Sequence, residues 1–364
     1  MLNFDESRFL RIQKGAVDLA PRIDNEIASA IADGATNLYF LGTGGVAYLM
    51  EPAVQLLQRR SSFPVFKDYP AELVLTGSSN LTEKSIVIMP SLSGTTKESV
   101  AMLEKLKQVG AKIITMVGHA DTPLGLGGNP ALVNFAEDDT SSESFYIQSL
   151  LVALSVMKAK GDIANYDALV AELAMVPAAL VEAKKTFEPK AEDFARIIAG
   201  SDYHMFTGAG NMWPEALYYA TCILEEMQWI RTRPVHASDF FHGPLELIEK
   251  GVSLVLFRGE DEYDPLAERV AQFAKQYTDC LTVISTADYL PRDLSAEMRA
   301  MLSPAVMATL MERLSAHLEV MRNHPLVTHR YPTPDSCRYC RAADRREEPM
   351  DEAASRHWRI SLMA

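Results

Sequence analysis

The feature that most restricts the fold of this chain is an apolar run that ends in glycines and occurs twice. The first run spans residues 38–45 (LYFLGTGG) and the second spans residues 203–211 (YHMFTGAGN). Each is followed by a helical pattern and then by another buried apolar run, at residues 85–90 and 252–257. Strands that alternate with helices predict a parallel sheet covered by helices on both faces. The self-similarity of the two halves predicts a duplicated α/β domain.

The patterns along the chain divide it into five predicted segments. Residues 1–34 have apolar positions at helical spacing and are predicted to form an N-terminal helix. Residues 35–165 are predicted to be the first α/β domain and residues 201–331 the second, joined by a helical connection over residues 166–200. Residues 332–364 are polar and arginine-rich without apolar periodicity, and they are predicted to be a mobile extension.

Charge and composition exclude several classes of partner. The formal net charge of −13 argues against a nucleic-acid binder, which would need a basic face. No apolar run without charge reaches the roughly 18 residues of a membrane span, and the first residues lack the features of a signal peptide. The sequence therefore predicts a cytoplasmic protein without nucleic acid or membrane as a partner.

Residues 42–45 form a candidate anion site where a predicted strand gives way to a helix. Backbone N–H groups of such a loop bind anions together with the helix dipole, and glycine permits close approach of a ligand. Ala47 breaks the dinucleotide fingerprint G-x-G-x-x-G. A tight turn without a ligand would explain the same glycines. The candidate ligand-binding residues here are Gly42, Thr43 and Gly44.

Residues 91–96 (SLSGTT) are a second candidate anion site. They place four hydroxyl groups at the carboxyl end of a buried strand and before a helix, the position where open α/β sheets bind ligands. A helix cap is the alternative explanation, but a cap needs one hydroxyl and not four. The sequence therefore predicts a phosphate site that includes Ser91, Ser93 and Thr96.

A candidate acid–base pair lies in the second half. Residues 216–230 are predicted to form an almost wholly apolar, buried helix that carries Glu225 and Glu226. A buried carboxylate is costly unless it has a task or a partner. His242 follows 16 residues after Glu226, in a predicted turn. One carboxylate and one imidazole suit proton transfer on a sugar, although a lone histidine is also a common core residue and Glu225 is a rival base.

A zinc site in the C-terminal segment is the weaker hypothesis. Cys337 and Cys340 form a CxxC pair, with His329 and His357 nearby in the sequence. A structural zinc site normally needs two such pairs. No metal site is therefore predicted.

These motifs resemble the double sugar isomerase (SIS) domain family, whose fold has two tandem three-layer αβα domains. The resemblance extends over about residues 20–331 and depends on the loops at 42–44 and 91–96 and on Glu226-(x)15-His242-Gly-Pro-Leu. The same Glu-to-His spacing occurs in the isomerase half of glucosamine-6-phosphate synthase. The synthase also has a Schiff-base lysine near its C-terminus, whereas residues 323–331 read NHPLVTHRY and are similar to the Amadori-product deglycases.

The resemblance implies a deglycase that converts a 6-phosphorylated ketoamine to glucose 6-phosphate and a free amine, without a metal or a redox cofactor. It implies that the 6-phosphate binds at residues 91–96 and near Gly44. It also implies that Glu226 removes the C1 proton, and that His242 acts as the acid in ring opening and protonation of C2. In the family this histidine reaches a neighbouring subunit's site, so a homodimer or a larger homo-oligomer is expected.

Two alternatives remain open from the sequence. An aldose–ketose isomerase or a glucosamine-6-phosphate deaminase-like enzyme would use the same pair. A non-catalytic sugar-phosphate sensor would use the same fold, often with a helix-turn-helix domain, for which the N-terminal segment is too short and too acidic. The amine half of the substrate is not identified by any motif.

Overall fold

The structure is a computed structural model that describes residues 1–136, 142–328 and 330. The N-terminal segment forms α1 (Glu6–Asp18) and α2 (Ala20–Ala32), where the sequence predicts one helix. The chain breaks at Leu19 because Pro21 lacks an N–H group and its ring clashes with the preceding turn. Proline is instead favourable in the first turn of a new helix.

The first half contains a parallel sheet with strand order β2-β1-β3-β4-β5. Its strands are β1 (Asn37–Leu41), β2 (Val65–Asp68), β3 (Ser85–Ser91), β4 (Lys112–Val117) and β5 (Ala131–Val133). Its helices are α3 (Gly45–Leu49), α4 (Glu51–Arg60), α5 (Pro70–Thr76), α6 (Lys97–Val109), α7 (Pro123–Gly127) and α8 (Ser142–Lys160). Strands β1 and β3 are buried along their whole length, as expected for a sheet covered on both faces.

The second half repeats the arrangement after α9 (Tyr166–Leu173) and α10 (Val176–Ala199). Its strands are β6 (Tyr203–Gly208), β7 (Arg231–His236), β8 (Ser253–Arg258) and β9 (Leu281–Ser285), and its α-helices are α11 (Met212–Tyr218), α12 (Asp264–Tyr277) and α13 (Ala296–Arg322). The strands are parallel in the order β7-β6-β8-β9. The predicted fold class, α/β with two tandem domains that each have a parallel sheet flanked by helices, is confirmed. Among the described residues, no helix is both long and apolar enough to cross a bilayer.

Helix α13 joins the end of the fold to its beginning. Arg313 is fully buried, and its Nε donates a hydrogen bond to Glu188 of α10 at 2.6 Å. The same guanidinium donates to the backbone oxygen of Leu2, while the Leu2 N–H donates to Glu188 at 2.9 Å. A buried guanidinium is tolerated only when it is paired in this way.

A second buried charge cluster links α8, α10 and α13. Lys184 is fully buried and pairs with Glu312. Its Nζ also lies 3.5 Å from Oε1 of Glu143, which accepts a hydrogen bond from Thr309 at 3.0 Å. Burial is the main cause that raises the pKa of Glu143, to about 7.

This shift predicts how stability depends on pH. The folded protein binds more protons than the unfolded chain between pH 4.5, the ordinary pKa, and about 7, so the free energy of unfolding falls as the pH rises through this window. We expect Glu143→Gln to reduce that fall by up to ~3 kcal/mol, measured by urea unfolding at pH 5 and pH 7.5. Glu98→Gln, which changes an exposed carboxylate of α6, is the matched control. If the wild type and Glu143→Gln showed the same pH dependence of the free energy of unfolding, Glu143 would not be the group that causes it.

Candidate functional site

The carboxyl ends of β1 and β3 form a crevice at the switch point of the first sheet. The two strands are parallel neighbours, and β2 lies on the other side of β1. Successive connections therefore leave β1 and β3 in opposite directions, which opens the crevice where such sheets bind ligands. The predicted loops at residues 42–45 and 91–96 follow these two strands directly.

The glycine loop lies against the second domain. Gly44 has a φ of +63°, a conformation that glycine adopts without strain. A Cβ atom on Gly45 would lie 2.7 Å from the ring of Tyr218 and 3.5 Å from Sγ of Cys222, so only glycine permits this close approach. Among the described residues, the buried Oγ1 of Thr43 has no hydrogen-bond partner. The loop therefore offers an unused hydroxyl beside a segment of the second domain.

The hydroxyl loop is organised from within. Oγ of the buried Ser91 accepts a hydrogen bond from the Gly94 N–H at 3.1 Å. Ser93 accepts from the Thr95 N–H at 3.3 Å. Thr96 is the N-cap of α6, but its side chain makes no capping hydrogen bond. The capping explanation is therefore not supported, and the first-turn N–H groups of α6 are available to an anion.

The structure corrects the prediction of one buried helix over residues 216–230. Helix α11 is continued by a π-helix over Tyr219–Glu225, and the helix ends there. Glu225 and Glu226 are both exposed. The prediction failed because Leu224 and Ile230 are buried in the core, whereas the chain between them leaves the helix and turns the two glutamates outward.

The π-helix sets the position of Glu226. The Glu226 N–H donates to the oxygen of Thr221, five residues earlier, at 3.1 Å. Cys222, which faces Gly45, lies one turn before Glu226 on the same segment. π-Helical turns are rare and occur frequently at functional sites. The second domain therefore places Cys222, one turn before Glu226, against the glycine loop of the first.

Glu225 has a different environment from Glu226. Its Oε1 accepts hydrogen bonds from Thr232 Oγ1 at 2.7 Å and from the Thr232 N–H at 3.2 Å. These contacts tie Glu225 to β7 at the edge of the second sheet. The hydrogen bonds from Thr232 therefore give Glu225 a structural role at the edge of the second sheet.

His242 lies in the turn after β7. Its backbone N–H donates to the oxygen of Asp239 at 2.9 Å, its side chain is exposed, and among the described residues its imidazole has no hydrogen bond or ion pair. His236, at the end of β7, is half-buried against Trp213 with ring centroids 5.4 Å apart, and burial lowers its pKa. Of these two histidines, His242 is the one presented outward.

Sequence reasoning missed a buried pair next to this segment. Glu215 and Tyr146 are almost fully enclosed, and the Tyr146 hydroxyl donates to Glu215 Oε2 at 2.6 Å. Burial raises the pKa of Glu215 well above its usual range. The signal was present in the sequence, since Glu215 is the only charged residue in residues 212–224.

A small cavity adjoins Glu215 and the π-helix. It encloses about 70 Å³ and is lined by Ser142, Glu215, Tyr219, Ile223, Glu312 and Ser315, together with apolar residues of α13. Oε1 of Glu215 has no partner among the described residues. The polar side-chain atoms of these lining residues are all oxygen atoms.

The switch point of the second sheet differs from that of the first. A cavity of about 200 Å³ lies beside the loops after β6 and β8. Ion pairs from α4 cross it, Arg59 with Glu262 and Arg60 with Glu297, the latter at 2.6 Å. This crevice has paired charges instead of open hydroxyls, so the two domains offer different chemistry at equivalent positions.

No metal centre is formed by the part of the chain that the structure describes. The ligands considered for zinc, at Cys337, Cys340, His329 and His357, lie outside the described residues, as does the segment 332–364.

Comparison with known proteins identifies the fold. Residues 33–159 match the SIS domain. The fructosamine deglycase FrlB of Bacillus subtilis is 28% identical over 316 residues, which cover 85% of this chain and 96% of that protein. The fructoselysine 6-phosphate deglycase of Escherichia coli K12 is 24% identical over 329 residues, covering 90% and 94%.

Solved structures agree with this result. A candidate phosphosugar isomerase from Bacillus subtilis has a TM-score of 0.79 at 26% identity and covers 86% of this chain and 98% of that one. A similar protein from Salmonella typhimurium LT2 has a TM-score of 0.79 at 27% identity, with coverage of 87% and 97%. The resemblance found in the motifs is confirmed: residues 33–159 match the SIS domain, and the chain has the two-sheet α/β fold of these solved structures.

Proposed function

We propose that this protein is a deglycase that converts a 6-phosphorylated ketoamine to glucose 6-phosphate and a free amine. The observation that carries the proposal is the close contact of Gly45 with Tyr218 and Cys222. It brings an anion-binding crevice of one domain next to the helical segment of the other that ends at Glu225, directly before Glu226. The similarity to two deglycases over 85% and 90% of the chain supports this substrate class.

The phosphate group occupies the crevice at the end of the first sheet. Ser91, Ser93 and Thr96 provide hydroxyl groups, and the first turn of α6 provides N–H groups. The glycine loop, with Gly42, Thr43 and Gly44, closes the other side. Hydroxyl and amide donors bind a phosphate without a lysine, which suits a protein whose net charge is −13.

Glu226 and His242 supply the proton transfers. Glu226 removes the proton from C1 of the ketoamine, and His242 acts as the acid in ring opening and in protonation of C2. The resulting aldimine adds water and releases glucose 6-phosphate and the amine. Because Glu226 is exposed, its suitability as a base depends on access to the substrate and not on burial. Acid–base catalysis of this kind needs no cofactor.

His242 serves a site on a neighbouring subunit. Its exposed imidazole has no hydrogen bond or ion pair within the described part of its own chain. An isologous dimer would place each histidine at the partner's site. We therefore propose a homodimer or a larger homo-oligomer.

A substrate panel tests the proposed reaction. We expect glucose 6-phosphate release from 6-phosphorylated ketoamines of lysine, asparagine and glycine, followed with a coupled dehydrogenase. The unphosphorylated ketoamines should have a kcat/KM at least ~100-fold lower, because they leave the phosphate donors of the crevice without a partner. Glucosamine 6-phosphate and fructose 6-phosphate are the comparison substrates. Consumption of only these two would replace the deglycase with a deaminase or an isomerase.

A further inference from the structure

The turn that follows Glu226 is held in a strained conformation. Trp229 has a φ of +56°, in the left-handed region that bulky side chains rarely adopt. Strain of this kind persists only where the surrounding structure enforces it. The residues that enforce it therefore also fix the position of Glu226, three residues earlier.

The enforcing contacts come from the carboxyl end of α13. Nε2 of the fully buried Gln228 donates to the backbone oxygen of His324 at 2.7 Å. Nη2 of Arg322 donates back to the Gln228 oxygen at 3.3 Å. The rings of Trp229 and His324 meet edge to face with centroids 4.5 Å apart. We call Gln228, Trp229, Arg322 and His324 the clasp.

The α13 side of the clasp is rigid. The His324 N–H donates to the Glu319 oxygen at 3.0 Å, in the pattern of a left-handed helix cap. The Leu326 N–H donates to the Glu319 carboxylate at 3.0 Å. The end of α13, a helix of 27 residues, is therefore held in place and supports the turn that follows Glu226.

The clasp is not the arrangement that stability alone would favour. Among the described residues, Oε1 of Gln228, Nε2 of His324 and Nε of Arg322 are buried without hydrogen-bond partners. Buried polar atoms are nearly always paired in native proteins, and each exception needs an explanation. Three such atoms at one joint, next to a strained tryptophan, indicate a geometry retained for function.

We propose that the clasp positions Glu226 for proton abstraction, with Gln228 and His324 as positioning residues. The proposal rests on the proposed role of Glu226 as the base. The π-helix precedes Glu226 and the clasp follows it. Together they hold its carboxylate in one orientation toward C1 of the ketoamine. Misplacement by about 1 Å is enough to lower a rate by ~100-fold.

Trp229→Gly is the first test. Glycine accepts a positive φ, so relief of strain offsets the lost ring contact, and we expect a melting temperature within about 4 °C of the wild type. The kcat should nevertheless fall at least about tenfold with KM little changed. The primary isotope effect with C1-deuterated substrate should increase, because proton abstraction becomes more rate-limiting. A purely structural role would not change that isotope effect.

Gln228→Leu and His324→Ala test the two positioning residues in the same assay. Both should lower kcat and raise the isotope effect, whereas Val320→Ala, an exposed change on the last turn of α13, should behave as the wild type. If Trp229→Gly, Gln228→Leu and His324→Ala all kept the wild-type kcat and isotope effect, the positioning role of the clasp would be overturned. Glu226→Gln separates the two proposals: if it is inactive while the clasp variants are fully active, only the clasp fails. If Glu226→Gln keeps full turnover, the proposed base itself is wrong.

Discussion

Glu226→Gln should lower kcat for glucose 6-phosphate release by ~10³-fold, within the range expected for loss of a general base. The amide keeps the size of the side chain but cannot accept the C1 proton. The phosphate crevice belongs to the other domain and stays intact, so calorimetry should show an affinity for glucose 6-phosphate within about threefold of the wild type.

The neighbouring carboxylate provides the control for this experiment. Glu225→Gln changes the same functional group one residue away and disturbs the contact with Thr232. An exposed hydrogen bond of this kind is worth ~1 kcal/mol, so kcat should change by less than about fivefold. If Glu225→Gln is the inactive variant and Glu226→Gln is not, the base has been assigned to the wrong carboxylate.

Mixing two inactive variants should restore activity if His242 acts across a subunit interface. Glu226→Gln and His242→Ala would each be inactive alone. In a random mixture half of the dimers contain one of each, and one of their two sites is intact, so about a quarter of the wild-type activity should return. The measurement is kcat per site after co-refolding equimolar amounts.

A second mixture guards against a false result. Glu226→Gln mixed with the double variant Glu226→Gln/His242→Ala contains no intact site in any dimer and should remain inactive. If differently tagged subunits co-purify from the first mixture but no activity returns, His242 does not serve the partner's site.

The duplicated α/β architecture could be predicted because its signals are local. The apolar run at residues 112–117 became β4 with those bounds, and the run at 85–90 became β3, one residue longer. Such runs are buried on both faces in a parallel sheet, so burial alone selects them. The break at Leu19 was also present in the sequence, in the proline two residues later.

The course of the chain near Glu226 could not be predicted. The π-helix and the positive φ of Trp229 depend on contacts with residues about 95 positions later in the sequence, such as the 2.7 Å hydrogen bond from Gln228 to His324. No local pattern encodes such a contact, and tryptophan is a poor indicator of a left-handed turn. Buried carboxylates were expected at Glu225 and Glu226, whereas in this segment it is Glu215 that is enclosed.

The joining of α13 to Leu2 and to the clasp has a consequence for synthesis on the ribosome. Domains generally fold as they emerge, N-terminal first. Two residues of this region are translated late. Arg313 pairs with Glu188 and donates to the backbone oxygen of Leu2. His324 supports the turn after Glu226. A nascent chain therefore cannot hold the proposed base in place until α13 has left the ribosome. The order of residues in the chain thus makes the positioning of the proposed base a late step of synthesis.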